Sequence, residues 1–377
     1  MEYITRSIEK SVKERLFRGK VVIIYGARQV GKTTLSKRIL ADFGEKGSYL
    51  NCENFSVQRG LAELEAERIK SFLGNYKIIV LDEAQVIPDI GKALKLIVDT
   101  YPEMQIIATG SSSFGLAQKA AEPLTGRNFQ FTLYPFLLEE IKGEKGLSFL
   151  DPKLEQLLRF GNYPGVLGLS EKEAKERLSE IASNYLLKDV LQVDGIKKSS
   201  MIRDLLRLIA LQIGREVSYN ELAAQLNMNR LTVQKYLDIL EQSFIIFRLN
   251  AYSKNKRKEI SKSIKIYFWD LGIRNTLIEN WNALDIRDDA GFLWENFCIA
   301  ERKKFNETNF RFASLYFWRT YDQQEIDLIE ERDGKISAFE CKSKTENAKI
   351  PKYFSEKYPE VIFETINWKN YGKFFIK

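Results

Sequence analysis

The sequence predicts an α/β fold in which helices cover both faces of a parallel sheet. Over residues 21 to 133, short apolar runs of strand type alternate with amphipathic helical patterns. This order is typical of parallel strands that are joined by helical crossovers. A glycine-rich segment also leads from the first strand into the first helix. The chain has 377 residues, which is too long for one typical core, so two or three domains are expected.

The glycine-rich segment matches the phosphate-binding pattern G-x-x-x-x-G-K-[ST] over its full length. The apolar strand Val21–Tyr25 comes before it, and a helical pattern over residues 34 to 40 comes after it, which is the context that this pattern requires. The residues predicted to surround the phosphates are Gly26, Ala27, Arg28, Gln29, Val30, Gly31, Lys32, Thr33 and Thr34.

The residue types assign the roles within this loop. Gly26 and Gly31 let the backbone turn tightly and direct its N–H groups at phosphate oxygens, and the next helix adds the positive end of its dipole. Lys32 is predicted to reach the β- and γ-phosphates, and the Thr33 hydroxyl is predicted to bind Mg²⁺. ATP and Mg²⁺ are therefore the expected cofactors.

The other predicted residues of the nucleotide site lie at the ends of later strands. Strands are predicted at residues 48 to 51, 77 to 81, 105 to 109 and 129 to 133, with helices at 61 to 73 and 90 to 99. Asp82 follows the third strand and is predicted to hold Mg²⁺, while Glu83 is placed to polarise the attacking water. Thr109 ends the fourth strand, where its hydroxyl would orient that water or contact the γ-phosphate; a simple strand-ending turn is the alternative.

Arg127 is a candidate for positive charge at the γ-phosphate, supplied by the same chain or by a neighbouring subunit. A surface arginine is the alternative.

Composition narrows the choice of chemistry. The chain contains no histidine, so histidine general bases, histidine-containing triads and the common zinc sites are excluded. Its three cysteines are isolated, no apolar stretch reaches the length of a membrane span, and the start is charged without the apolar segment of a signal peptide. A cytoplasmic protein with no membrane partner is expected. The net charge of +7 permits a polyanionic partner.

Several motifs resemble the prokaryotic AAA-type ATPases of the archaeal-ATPase-like group. They are the phosphate loop, residues 81 to 85 (LDEAQ), 108 to 112 (ATGSS), 124 to 127 (LTGR), 133 to 136 (LYPF) and 161 to 165 (GNYPG). The resemblance covers nearly the whole chain and implies an AAA-type P-loop ATPase core with a winged-helix segment and a restriction-endonuclease-like α/β domain. The expected boundaries are 1–140 for the core, 141–200 for a helical lid, 201–268 for a winged helix-turn-helix and 269–377 for the nuclease-like domain.

The pattern of residues 202 to 268 predicts the winged helix, with helices at 202 to 213, 219 to 226 and 230 to 242 and strands at 244 to 249 and 264 to 268. On DNA, the third helix would enter the major groove and the basic loop between the strands would contact phosphates. The alternative is a lid or a protein-docking module. The candidate DNA contacts are Arg230, Thr232, Gln234, Lys235, Lys254, Lys256, Arg257 and Lys258.

The last hundred residues contain a second set of polar residues. A predicted hairpin places Asp327 opposite Glu340 and Lys342, and Glu295 lies on the preceding helix. This arrangement resembles the metal site of PD-(D/E)XK nucleases. The resemblance implies that Asp327 and Glu340 bind a second Mg²⁺ or Mn²⁺, that Glu295 is an outer carboxylate and that Lys342 assists the attacking water. A degenerate site that only binds is the alternative.

Together these observations favour an ATP-hydrolysing protein that acts on DNA, with metal-dependent cleavage by the C-terminal domain as one form of that action. The first alternative is an ATP-controlled switch that docks to another protein and has an inert tail. The second is a nuclease whose ATPase only gates access. A protein partner and a homo-oligomer both remain open.

Overall fold

The computed structural model describes residues 3–111, 124–143, 146–186, 199–253, 264–320, 322–344 and 348–376. The chain forms two compact units. The first contains Met1–Tyr134 with Gln242–Phe244, and the second contains Pro135–Glu241 with Ile245–Lys377. The predicted division into four domains is finer than this and stays a prediction.

The first unit contains a five-stranded parallel sheet with the strand order β2-β3-β4-β1-β5. The predicted α/β class and parallel sheet are therefore confirmed. The strands are β1 (Val21–Tyr25), β2 (Gly47–Asn51), β3 (Ile78–Asp82), β4 (Gln105–Gly110) and β5 (Asn128–Thr132). The helices are α1 (Ile8–Lys13), α2 (Lys32–Ala41), α3 (Phe55–Ala62), α4 (Ala66–Leu73) and α5 (Ile90–Thr100).

Strands β1 and β3 form the centre of the core. Every residue of the two strands is buried, and their sequences are nearly continuous apolar runs. Such runs are what a parallel strand needs when helices cover both of its faces. Strand β4 lies between β1 and β3, so the polar ends of these three strands meet at one edge of the sheet.

One helix prediction in this unit was wrong. A single helix was expected over residues 61 to 73, but α3 and α4 are separate helices with extended backbone at Glu63 and Glu65 between them. Gly60 explains the close packing of the pair, because a Cβ atom there would lie 2.5 Å from the ring of Phe72. The amphipathic pattern continued across the bend and concealed it.

The second unit contains helices and a seven-stranded mixed sheet with the order β12-β11-β10-β9-β7-β8-β6. The strands are β6 (Glu216–Val217), β7 (Ile246–Ala251), β8 (Ile264–Phe268), β9 (Ser314–Arg319), β10 (Glu325–Arg332), β11 (Lys335–Cys341) and β12 (Ile362–Ile366). The helices are α6 (Leu138–Lys142), α7 (Leu147–Leu150), α8 (Leu154–Phe160), α9 (Glu171–Glu180), α10 (Ser199–Leu211), α11 (Tyr219–Gln225), α12 (Arg230–Gln242), α13 (Leu271–Leu277), α14 (Ala290–Thr308), α15 (Lys352–Lys357) and α16 (Gly372–Phe375).

This sheet crosses the predicted boundary at residue 268. Strands β6, β8 and β7 are antiparallel neighbours, and β7 pairs in parallel with β9 through Asn250 and Ala251. The strands that were predicted for two domains therefore belong to one sheet. The sequence did not reveal this pairing, because it depends on hydrogen bonds between segments more than 60 residues apart.

The GNYPG motif has a structural role in the second unit. Gly161 has φ +74°, and a Cβ atom there would lie 2.1 Å from Asp270 Oδ1. The Asp270 carboxylate accepts hydrogen bonds from the N–H groups of Asn162 (2.6 Å) and Ile273 (3.2 Å). Only glycine can let the turn approach this carboxylate so closely.

The helices in the described part of the chain include none with the length and apolar character of a membrane span.

Candidate active site

The phosphate loop leaves β1 at the edge of the sheet where the strands end. Gly26 has φ +150°, and a Cβ atom there would lie 2.1 Å from the Leu133 carbonyl oxygen, so this position requires glycine. Gly31 has φ +99° and forms the N-cap of α2. The loop therefore ends at the N-terminus of a helix of ten residues, where backbone N–H groups and the helix dipole favour an anion.

Lys32 is held against the loop itself. Its side chain is buried, and its ammonium donates hydrogen bonds to the carbonyl oxygens of Gly26 (2.8 Å) and Ala27 (2.9 Å). Phosphate oxygens bound in the loop would offer stronger, charged acceptors to the same ammonium. Lys32 is thus prepositioned beside the place where the loop would hold phosphates.

Asp82, at the end of β3, is the centre of a hydroxyl network. Its carboxylate accepts hydrogen bonds from Thr33 (2.8 Å), Tyr49 (2.6 Å) and Thr109 (2.5 Å). Three of the predicted site residues, Thr33, Asp82 and Thr109, are therefore brought together. Tyr49 was not predicted; burial, followed by its hydrogen bond to Asp82, raises the pKa of its hydroxyl well above the ordinary value.

Glu83 has a constrained backbone and a defined hydrogen-bond partner. Its φ of 56° lies in the left-handed region, which non-glycine residues rarely adopt. Its N–H donates to the Thr109 hydroxyl (3.1 Å), and its carboxylate accepts from the Gln85 amide (2.5 Å). The same amide nitrogen donates to the Ser111 hydroxyl (3.1 Å). Gln85 and Ser111, which sequence reasoning missed, connect Glu83 to the end of β4.

Arg6 is a further residue that was missed. Its buried guanidinium donates hydrogen bonds to the carbonyl oxygens of Val30 (2.7 Å), within the phosphate loop, and Tyr134 (2.6 Å). The arginine ties the segment before α1 to the loop. Arg6 lies far from the loop in the sequence, so no local pattern indicated this contact.

The structure does not bring Arg127 to the phosphate loop. Arg127 immediately precedes β5, and the parallel pairing of β5 with β1 places it at the edge where the strands begin. The loop lies at the opposite edge. The guanidinium of Arg127 is ion-paired with Asp99 at 2.6 Å. The hypothesis that Arg127 serves the nucleotide site of its own chain is therefore wrong; a role at a neighbouring subunit stays a prediction.

The second unit contains an acidic cluster, formed by Glu295, Glu325, Asp327 and Glu340. The Asp327 N–H donates to Glu340 (3.3 Å), and the Cys341 N–H donates to Asp327 (2.8 Å). The pairing register of β10 with β9 shifts between Ile326 and Ile329, a β-bulge of the kind that redirects side chains at functional sites. Three of the predicted residues, Glu295, Asp327 and Glu340, thus lie in one cluster.

Lys342 completes the predicted set. Its ammonium lies 3.7 Å from Glu340 Oε1 and 4.0 Å from Asp327 Oδ2, and its side chain is 45% exposed. Burial, and then the charge of Asp327, raise the pKa of Glu340 to about 8 and that of Glu295 to about 7. Two carboxyl groups of the cluster therefore hold their protons more tightly than exposed ones do.

Lys265 and Tyr267 reach the same cluster from β8. The Lys265 side chain is 1% exposed, and its ammonium lies 2.9 Å from Glu295 and is also ion-paired with Glu325. The Tyr267 hydroxyl donates to the same Glu295 oxygen at 2.6 Å. Neither residue was predicted, because β8 was assigned to the winged helix.

A divalent cation fits one part of the acidic cluster better than the other. Asp327 and Glu340 offer carboxylate oxygens, the ligands that Mg²⁺ and Mn²⁺ prefer, beside the partly exposed Lys342. Glu295, Glu325 and Asp327 also have oxygens within 4.8 Å of one another, but the ammonium of Lys265 already lies against two of these three.

The predicted DNA contacts fall into two groups. Arg230 and Lys235 are exposed on the first turns of α12, while Thr232 and Gln234 are partly exposed. The remaining four, Lys254, Lys256, Arg257 and Lys258, lie outside the described residues.

Three family models match successive segments of the chain. Residues 18–142 match an AAA domain, residues 151–285 match a domain of unknown function (DUF8612) and residues 290–367 match another (DUF4143). The first match, together with the phosphate loop and the sheet order, supports an AAA-type, nucleotide-binding ATPase domain in this part of the chain.

Similar proteins have been found in several organisms. An uncharacterised protein of Mycobacterium tuberculosis is 29% identical over 342 residues, which are 89% of this chain and 73% of the relative. An uncharacterised protein of Haemophilus influenzae is 24% identical over 279 residues, which are 68% of this chain and 69% of the relative. AMPPCP-bound DnaA from Aquifex aeolicus covers 63% of this chain and 89% of its own, at 19% identity and a TM-score of 0.32. A TM-score this low carries no inference about the present chain.

Proposed function

We propose that the chain hydrolyses ATP with Mg²⁺ at the edge of the parallel sheet where its strands end. The observation that carries this proposal is the convergence there of Lys32, Thr33, Asp82, Glu83 and Thr109. The match of residues 18–142 to an AAA domain supports it.

The roles of the side chains follow from their contacts. Lys32 exchanges its two loop carbonyls for the β- and γ-phosphates. Thr33 and Asp82, which share a hydrogen bond, would hold Mg²⁺. The metal supplies charge neutralisation at the phosphates. Glu83 accepts the proton of the attacking water, and Thr109 fixes both the Glu83 backbone and the Asp82 carboxylate.

Replacement of Lys32 by alanine tests nucleotide binding. The variant lacks a charge-assisted hydrogen bond worth about 1.5–3 kcal/mol, which is roughly a 10- to 150-fold decrease in ATP affinity. Titration calorimetry with ATP and Mg²⁺ measures it. Lys10→Ala, at a lysine whose side chain is 88% exposed, is the matched control and should bind like the native chain. Native affinity in Lys32→Ala would contradict the assignment of the phosphate loop.

We further propose that α10, α11 and α12 with strands β6, β8 and β7 form a winged helix that acts on DNA. The order helix, strand, helix, helix and two more strands, with β8 between β6 and β7, supports this interpretation. The exposed cations at the start of α12 are suited to a nucleic acid backbone. A protein-docking module on the same helices remains the alternative, and a cytoplasmic location belongs to the proposal.

The DNA proposal predicts a change in salt dependence. In the double variant Arg230→Ala, Lys235→Ala, the slope of log affinity against log salt should become shallower by about 0.9 for each phosphate that the protein no longer neutralises. Fluorescence anisotropy with a labelled duplex between low and physiological salt measures this slope. Lys172→Ala, Lys175→Ala on α9 is a control of equal charge. An unchanged slope and affinity in the α12 variant would favour docking to a protein.

A second candidate activity, metal-dependent DNA cleavage, is favoured by the position of Lys342 beside Asp327 and Glu340. We propose that this part of the acidic cluster binds one Mg²⁺ or Mn²⁺. A metal held there would supply hydroxide at neutral pH, and Lys342 would stabilise charge on the scissile phosphate. If no cleavage occurs, the ATP-controlled switch with an inert tail is the better description.

A further inference from the structure

Lys265 is a buried charge that the proposed activities do not require. It lies on β8 with its side chain 1% exposed, and burial alone would lower the pKa of its ammonium. The charges of Glu295, Glu325 and Asp327 outweigh burial and raise that pKa above the ordinary value. The side chain therefore carries its positive charge inside the protein, as buried lysines do when carboxylates compensate them.

The three carboxylates around Lys265 have the spacing of a cation-binding site. Oxygens of Glu295, Glu325 and Asp327 lie within 4.8 Å of one another. A divalent cation would need oxygens at about 2.0–2.6 Å from its centre. The ammonium approaches Glu295 at 2.9 Å, the distance of a charge-assisted hydrogen bond, and the Tyr267 hydroxyl holds the same oxygen from β8. The cationic position of this triad is thus filled by the protein.

We propose that the Lys265 ammonium is a built-in substitute for a divalent cation in the triad Glu295, Glu325 and Asp327. The acidic cluster of the native chain then accepts at most one divalent cation, at Asp327 and Glu340. Loss of the ammonium creates a second cation site. This inference depends on the proposed metal site only for the ion count of the native chain, and not for the role of Lys265.

The charges of the cluster support this division. Lys342 lies against Asp327 and Glu340 near the surface, whereas Lys265 lies against Glu295 and Glu325 in the interior. Each lysine thus neutralises a different half of the cluster. A divalent cation can approach the half at Lys342, because that side chain is 45% exposed and its ammonium can move into solvent, whereas the Lys265 side chain is 1% exposed and its enclosed ammonium keeps a cation out.

The test is a count of Mn²⁺ bound to the full-length chain without nucleotide, by equilibrium dialysis and by the electron paramagnetic resonance signal of free Mn²⁺. Lys265→Met, which keeps the length of the side chain and removes its charge, should bind one Mn²⁺ more than the native chain. Its melting temperature should rise with Mn²⁺ by more than that of the native chain. The double variant Lys265→Met, Glu295→Gln should lose the additional ion.

Lys304→Met is the matched control. Lys304 has a side chain that is 2% exposed, and it is ion-paired with Glu301 at 2.8 Å. The variant should lose stability because the buried Glu301 carboxylate loses its ion pair, but it should bind no additional Mn²⁺. If Lys265→Met is unfolded in metal-free buffer, Mn²⁺ should restore its folding, whereas Lys304→Met should not respond.

Each result tests the role of Lys265 separately from the proposed metal site at Asp327 and Glu340. No ion on the native chain and one on Lys265→Met would uphold the role of Lys265 and exclude metal binding by the native acidic cluster. Equal ion counts in the native chain and in Lys265→Met overturn the inference, whether or not the native cluster binds Mn²⁺. Failure of Mn²⁺ to restore an unfolded Lys265→Met chain overturns it as well.

Discussion

Glu83→Gln should bind ATP with nearly native affinity and hydrolyse it about 10²–10⁴-fold more slowly, the range for loss of a general base. Glutamine keeps the size of the side chain and one oxygen that can accept from Gln85, so the local structure should persist. Its amide cannot take a proton from water. Single-turnover hydrolysis and ATP titration, measured side by side, separate the two effects.

Glu103→Gln, at an exposed residue before β4, is the control and should hydrolyse ATP at the native rate. Thr109 gives a second check, because its hydroxyl contacts both Asp82 and Glu83. Thr109→Ala should reproduce much of the loss, and Thr109→Ser should restore most of the rate. A native rate of hydrolysis in Glu83→Gln would show that another group acts as the general base.

Glu340→Ala should abolish divalent-dependent DNA cleavage and leave ATP binding unchanged, because the two sites lie in separate compact units. Without the Glu340 carboxylate, Asp327 alone would have to hold the metal, and no hydroxide would form near neutral pH. Lys342→Ala should retain the metal and lose cleavage. Plasmid and oligonucleotide assays with Mg²⁺ or Mn²⁺ measure these effects, and Mn²⁺ dialysis reports the metal.

Glu360→Ala, at an exposed residue of the same unit, is the control for cleavage. Cleavage that persists in the double variant Asp327→Ala, Glu340→Ala would point to another site or to a contaminating nuclease. If the native chain cleaves no duplex, single-stranded, forked or RNA substrate with either metal, the inert tail is the correct description.

The nucleotide site was largely predictable because its chemistry lies in contiguous segments. One such segment is the phosphate loop, Gly26 to Thr33, and the other is the pair Asp82 and Glu83. In each, the characteristic residue types and the flanking strand can be recognised within a few positions of the sequence. The contacts of Tyr49 with Asp82, of Gln85 with Ser111 and of Arg6 with the loop were not predictable, since each depends on strand register or on a distant segment. Arg127 was misplaced although it lies just before the predicted strand at 129 to 133, and a residue just before a parallel strand lies at the edge where the strands begin.

In the second unit, contacts between distant segments limited the sequence prediction more strongly. Asp327, Glu340 and Lys342 could be placed together, because a short turn fixes the pairing of the two strands that carry them. Lys265 could not be placed with them. Its strand was assigned to another domain, and the pairing of β7 with β9 that joins the two is non-local.

The parallel pairing of β7 with β9 also limits how the chain can be divided. A fragment cut at residue 268 would leave β7 unpaired at Asn250 and Ala251, and unpaired strand edges are templates for aggregation. A fragment beginning at residue 269 would expose β9 in the same way and would lack the two side chains that β8 contributes to the acidic cluster. Parallel pairing across a long intervening segment also forms slowly. The part of the chain that forms the seven-stranded sheet should therefore fold late and as one cooperative body. If this part were exchanged between related proteins, the segments before and after residue 268 would have to be exchanged together.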